Sequence, residues 1–197
     1  MMSISNDVVG SSADPTDDRI IDAAADCVIA FGVDRVTLAE IARRAGVSRP
    51  TVYRRWPDTR SILASLLTAR ITNALKDIEV DGTHRDAVVQ RIVAMAGKLR
   101  DDEVIMSVLR TGPDLAMVYI AQRMGTSQQI LLEVMAGALA DAQRDGSVRA
   151  GDPRQLAAMC VLIVQSAIQS AQMVAPVLDV VTLDLELAHA LNGYLRP

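Results

Sequence analysis

The run Thr37-Leu-Ala-Glu-Ile-Ala-Arg-Arg-Ala-Gly-Val-Ser-Arg-Pro-Thr-Val-Tyr-Arg-Arg-Trp56 decides how this chain folds. Thr37 and Glu40 stand at capping-box spacing, where a hydroxyl and a carboxylate satisfy each other's backbone donors, so a helix starts here. Leu38, Ile41, Ala42 and Ala45 then fall on one face of it. Gly46 comes where that helix must stop and turn sharply, in a left-handed conformation that suits glycine. Ser48 caps the next helix, and Pro50 lies in its first turn, where a missing N–H costs nothing. The result is two short helices joined by a turn of about three or four residues.

Upstream, Asp14-Pro15-Thr16 offers an N-cap and a proline suited to a first turn, and Ile21, Ala24, Val28 and Phe31 recur at helical spacing. A helix is predicted from about 16 to 31, stopped by Gly32. Downstream, Trp56-Pro57-Asp58 breaks the chain before a long helix carrying Ile62, Leu63, Leu66, Leu67, Ile71, Leu75 and Ile78. The pattern stays helical through Val88, Ile92, Met95 and Leu99, and through Val104 to Leu109, up to Gly112-Pro113. A stretch from about 113 to 144 with a bend near Gly125, a helix from about 153 to 174, and a last helix from Thr182 to Leu195 complete the chain. No strand and no internal repeat is expected. Aromatic residues make up only 3% of the chain, so aliphatic side chains and methionine fill the core, which favours packed helices over a sheet.

The formal net charge of −4 is unevenly spread. Arg43 to Arg60 holds six arginines (43, 44, 49, 54, 55 and 60) and one acid, Asp58, a balance of +5 over eighteen residues. Ser61 to the C-terminus holds twelve basic and fifteen acidic residues, a balance of −3. A short basic module on an acidic body suits a surface that must neutralise phosphates.

Several classes are excluded. The longest uninterrupted apolar run, Leu156 to Val164, is shorter than the roughly 20 residues of a membrane span, so no transmembrane segment is expected. The first eighteen residues contain no Lys or Arg and no apolar h-region, which predicts a flexible acidic leader (1–15) and a cytoplasmic location rather than secretion. Cys27 and Cys160 lie in apolar helical patterns without CxxC spacing and read as buried structural thiols. His84 and His189 belong to no metal-ligand pattern. No nucleophile motif or phosphate-binding glycine loop is present, so no catalytic residue, metal or cofactor is expected and an enzyme finds no support.

The 37–56 run, with the helix before it and the long helix after it, resembles the signature of the TetR family of transcriptional regulators. The agreement lies in Ile41-Ala42, Ala45-Gly46-Val47-Ser48, Val52-Tyr53 and Trp56. An Ala-Gly-Val-Ser turn alone is shared by many helix-turn-helix proteins; the Tyr-x-x-aromatic that follows and the continuation into a long helix narrow the match. The resemblance implies an all-α chain with an N-terminal three-helix DNA-binding domain over 16–60. It also implies a larger C-terminal helical domain over 61–197, which binds an inducer and dimerises through its last two long helices. Where members commonly carry a lysine near the start of the fourth helix, this chain has Thr59 followed by Arg60.

In a helix-turn-helix the second helix enters the major groove with its N-terminal residues at base edges. Here that end carries Ser48, Arg49, Pro50 and Thr51. Arg49 can pair bidentately with guanine, and the Thr51 methyl or the Pro50 ring can meet a thymine methyl. Tyr53, Arg54 and Arg55 fall a turn later and suit phosphate or the outer bases. Thr37, Arg44, Thr59 and Arg60 complete the candidate DNA contacts, while Val47, Val52 and Trp56 are expected in the core.

In the body, Leu156 to Ile168 is apolar except at Gln165 and Ser166. A helix apolar nearly all round needs cover on both sides, its own core on one and a partner subunit on the other. Leu156, Cys160, Ile163 and Ala167, with Leu187 and Leu191 of the last helix, are the candidate dimer interface. Leu67 and Ile71 with Met95, Met106, Met117, Met124 and Met135 are candidate ligand contacts, because methionine adapts to varied apolar shapes. The expected function is a ligand-responsive homodimeric repressor. It would bind a pseudo-palindromic site in double-stranded DNA through the major groove and be released by an apolar or amphipathic small molecule. The alternative is an activator, or a regulator without a small-molecule inducer.

Overall fold

The computed structural model describes residues 14–112 and 125–197, and these are helical without a strand. The helices are α1 (Pro15–Phe31), α2 (Leu38–Ala45), α3 (Arg49–Arg55), α4 (Thr59–Lys76), α5 (Arg85–Asp101), α6 (Glu103–Thr111), α7 (Thr126–Arg144), α8 (Pro153–Val174) and α9 (Val180–Leu195). A single 3-10 turn, Val33–Arg35, links α1 to the extended residues before α2.

Each start has a local cause. Asp14, Asp58, Asp102, Asp152 and Asp179 place a carboxylate on the first free N–H groups of α1, α4, α6, α8 and α9. Thr37 caps α2 as expected, its Oγ1 accepting from Glu40 N at 3.2 Å. The reciprocal half of that capping box is not formed. The Glu40 carboxylate accepts from Arg43 and Arg44 instead, because two guanidiniums one turn on attract it more strongly than a neutral N–H. A reciprocal cap forms at α4, where Asp58 accepts from Ser61 N at 2.7 Å and Asp58 N donates to Ser61 Oγ at 3.4 Å.

α1 packs against α2, α4 and α6, and Ile20, Ala24, Cys27 and Val28 are buried there with Ile41, Val52, Ile62 and Leu63. The core continues without a break into the body, where α5 lies against α9 and α7 against α8. Both cysteines are buried free thiols; burial raises the Cys27 pKa and pushes that of Cys160 up to about 11, which keeps them protonated and inert.

α8 and α9 bear on two sequence readings. By length and composition α8 is apolar enough to cross a membrane, although no uninterrupted run in it is; in the structure it packs against α5, α7 and α9. Leu156, Cys160, Leu187 and Leu191, taken as partner-facing, are buried in this protomer's own core, and Ile163 and Ala167 pack half-buried against it. The most regular apolar stripe of a helix goes to the largest apolar surface available, which is the chain's own core. The apolar side chains left outside on this side are Met159, Leu162 and Met173 of α8 and Val180, Val181 and Leu185 of α9. Met159, Leu162 and Met173 follow helical spacing and share one face.

Candidate nucleic-acid interface and ligand cavity

The turn between α2 and α3 is fixed by Gly46, whose φ of 65° and ψ of 34° are left-handed, and by Val47 N donating to Ala42 O at 3.0 Å. Ser48 then caps α3, its Oγ accepting from Thr51 N at 3.3 Å and lying 2.7 Å from Thr51 Oγ1. Val52 and Trp56, one turn apart, are buried and hold α3 on the core. Trp56 Nε1 donates to Ser65 Oγ at 2.9 Å, tying the end of α3 to α4. The opposite arc of α3, Arg49, Pro50, Tyr53 and Arg54, is exposed, with Tyr53 at 52%. The candidate base-reading and phosphate-binding side chains therefore share one open face.

The other candidates divide. Thr59 and Arg60 stand in the first turn of α4, Arg60 exposed and Thr59 half-buried. The Thr37 oxygen is occupied as a cap, but its hydroxyl proton stays available to an acceptor. Arg44 is held by Glu40 at 3.0 Å and lies over the Phe31 ring, 4.8 Å from its centroid. Hydrogen bonds from Arg43 and Arg44 hold the Glu40 pKa at about 2. Arg55 departs from the sequence reading: it turns away from the open face of α3 and forms ion pairs with Asp14 and Asp17 of the first turn of α1. Sequence spacing put Arg55 beside Arg54, but on a helix neighbours point about 100° apart, and Arg55 falls on the side facing α1.

A cavity of about 170 Å³ lies among α4, α5, α6, α7 and α8. Leu67, Ile71, Met95 and Met135 line it together. Met106 does not; it projects roughly 100° round α6 from Ile105, and Ile105, Val108 and Leu109 line the cavity in its place. Met117 and Met124 lie outside the described residues. Sequence reasoning missed the polar lining residues Ser127, Gln128, Gln165 and Gln169, among which Gln128 Nε2 donates to Gln165 Oε1 at 3.3 Å. The signal was there, since Gln165 is the first interruption of the apolar run in α8.

The far side of α6 meets the N-terminal helices. Ser107 Oγ donates to Val28 O at 3.2 Å in the core, and Val33 N donates to Thr111 Oγ1 at 2.9 Å. The approach at this joint is close: a Cβ on Gly112 would stand 2.9 Å from Val33 Cγ1, so a larger residue there would force the buried Val33 side chain to shift.

A capped two-helix unit with an exposed basic recognition face, carried on a helical body with an internal apolar cavity, defines a helix-turn-helix transcriptional regulator. Residues 20–66 match the model of the bacterial regulatory proteins of the tetR family. An uncharacterized HTH-type transcriptional regulator of Mycobacterium tuberculosis strain H37Rv, Rv2250c, is 60% identical over 195 residues, covering 99% of this chain and 100% of that one. The transcriptional repressor QsdR of R. erythropolis, from the TetR family, has a similar fold, with a TM-score of 0.67 at 17% identity over 94% of this chain and 98% of that chain. So has RolR in complex with resorcinol, with a TM-score of 0.67 at 18% identity over 91% and 87%. The chain belongs to the TetR family of transcriptional regulators, which are not enzymes.

Proposed function

We propose that this protein is a cytoplasmic homodimeric repressor that occupies a pseudo-palindromic operator and releases it when a small apolar or amphipathic molecule fills the body. Residues 16–60 form the DNA-reading part and residues 61–197 the sensing and dimerising part. The observation that carries the reading is the double engagement of α6. One face of it lines the cavity through Ile105, Val108 and Leu109, while Ser107 and Thr111 on the other are bonded to the end of α1 and the turn after it. α4 supports the same reading, since Leu67 and Ile71 line the cavity and Ser65 holds Trp56. A ligand that prefers a displaced α6 or α4 shifts the populations of two states of the DNA-reading helices, whereas one with equal affinity for both shifts nothing. In a dimer the two recognition helices must stand about 34–36 Å apart to meet successive major grooves, so a small rotation suffices for release.

The exposed apolar residues of α8 and α9 supply the second-copy surface, and the open face of α3 supplies DNA contact. QsdR is a repressor and RolR binds resorcinol, and both precedents favour this reading. The test joins fluorescence anisotropy on DNA from the chain's own promoter region with a promoter reporter. Tight, salt-sensitive binding with lowered transcription is expected; binding that raises transcription would replace repression by activation.

A further inference from the structure

A second cavity, of about 260 Å³, opens among α4, α5 and α7 and shares Ile92, Met95, Leu131 and Met135 with the first. The two thus adjoin along a common wall of four apolar side chains. α7 runs beside both, from Ser127 at the inner end to Ala138 at the outer, about 16 Å at a rise of about 1.5 Å per residue. The inner lining holds no charged residue, and the outer lining holds one, Arg91.

Arg91 Nη2 donates to the Gly82 carbonyl oxygen, and Arg91 Nε is buried with no hydrogen-bond partner. A guanidinium stays charged at any working pH, and an unpaired buried donor is a rare and unfavourable arrangement. A cation with one unpaired donor therefore lines the outer of two adjoining apolar cavities. The chemistry that answers it is an anion able to accept hydrogen bonds. A single arginine matches a single negative charge; a phosphate dianion would keep an uncompensated charge against apolar walls. Length follows from volume. The inner cavity slightly exceeds the roughly 150 Å³ of an engineered cavity that holds benzene, so it takes only a short length of chain, and a ligand with its head at Arg91 must be extended to fill both.

We infer that the effector is an amphipathic monocarboxylate, its carboxylate on Arg91 and its unbranched chain laid over Ile92, Met95, Leu131 and Met135 into the inner cavity. This rests on the reading of the body as the effector-binding part. Calorimetric titration of the full-length protein with sodium decanoate, decanol and decyltrimethylammonium tests it. Decanoate should bind about tenfold or more tighter than decanol, the cation should not bind, Arg91→Gln should erase the preference, and Arg91→Lys should keep part of it. Equal affinity of the wild-type protein for decanoate and decanol, no decanoate binding at millimolar concentration, or a preference that survives Arg91→Gln in a folded variant overturns the inference. Operator gel shifts with decanoate separate the two readings. Arg91-dependent binding without DNA release upholds the carboxylate site and refutes its role as effector site.

Discussion

The backbone N–H of Val33 donates to Thr111 Oγ1 at 2.9 Å, across 78 positions of sequence. Thr111 Oγ1 in turn donates to Ser107 O at 2.8 Å, so one hydroxyl joins the last turn of α6 to the 3-10 turn behind the DNA-reading unit. The bond ties the C-terminal body to the residues just after α1.

Thr111→Val keeps the shape and removes the acceptor, leaving the Val33 N–H unpaired. A loss of about 1–3 kcal/mol in urea denaturation is expected, together with altered DNA affinity although Thr111 lies in the body. Unchanged stability and unchanged affinity would show that this joint carries nothing.

Arg49→Ala should cost roughly 1–3 kcal/mol of binding and relax preference at one base pair in each half-site, measured by competition among operator variants. Tyr53→Phe and Arg54→Ala, on the same open face, should weaken all sequences alike. If Arg49→Ala left sequence preference untouched, the assigned orientation of α3 on DNA would be wrong.

Arg54 and Arg55 should behave differently although they are adjacent. Arg54→Ala should reduce the slope of log affinity against log salt by about one. Arg55→Ala should leave that slope unchanged and lower thermal stability modestly, since it releases Asp14 and Asp17 from a partly exposed ion pair. Equal salt slopes for the two variants would place Arg55 on DNA after all.

On α8 and α9, Leu162→Glu or Val181→Glu should leave a folded monomer near 21.2 kDa in sedimentation, whereas the parent chain should sediment at about twice that mass. Leu191→Glu buries a charge in the protomer's own core and should unfold it instead. A Leu162→Glu, Val181→Glu double variant that remains dimeric would move the interface elsewhere.

Glu40 links stability to pH. Its carboxyl ordinarily titrates near 4.5 and sits at about 2 in the folded chain, because Arg43 and Arg44 donate hydrogen bonds to its charged form. The folded state then binds fewer protons than the unfolded one between those values, so the contribution is fully present above about 4.5 and is lost as pH falls toward 2. Denaturation curves of Glu40→Gln across that window should decline less steeply than those of the parent, and parallel declines would refute the linkage.

Thr37 to Trp56 fixed its own structure because every device in it is local: a cap three residues before the N–H it serves, a left-handed glycine between two helices, a proline in a first turn. Those contacts span at most a few positions, so they are legible without knowing where the chain returns, and the exposed arc of α3 followed from them. What only the tertiary structure decided is which neighbour each helix face meets. Arg55 pairs with Asp14 and Asp17 because α1 folds back beside α3. Leu187 and Leu191 turn inward because α9 packs against α5 and α8 in the protomer's own core. Met106 misses a cavity that Ile105 and Val108 line, because a rotation of roughly 100° per residue separates adjacent side chains that composition treats alike. Helical period and capping are properties of a segment, but burial is a property of the packing between segments, and the C-terminal body is built almost wholly from burial.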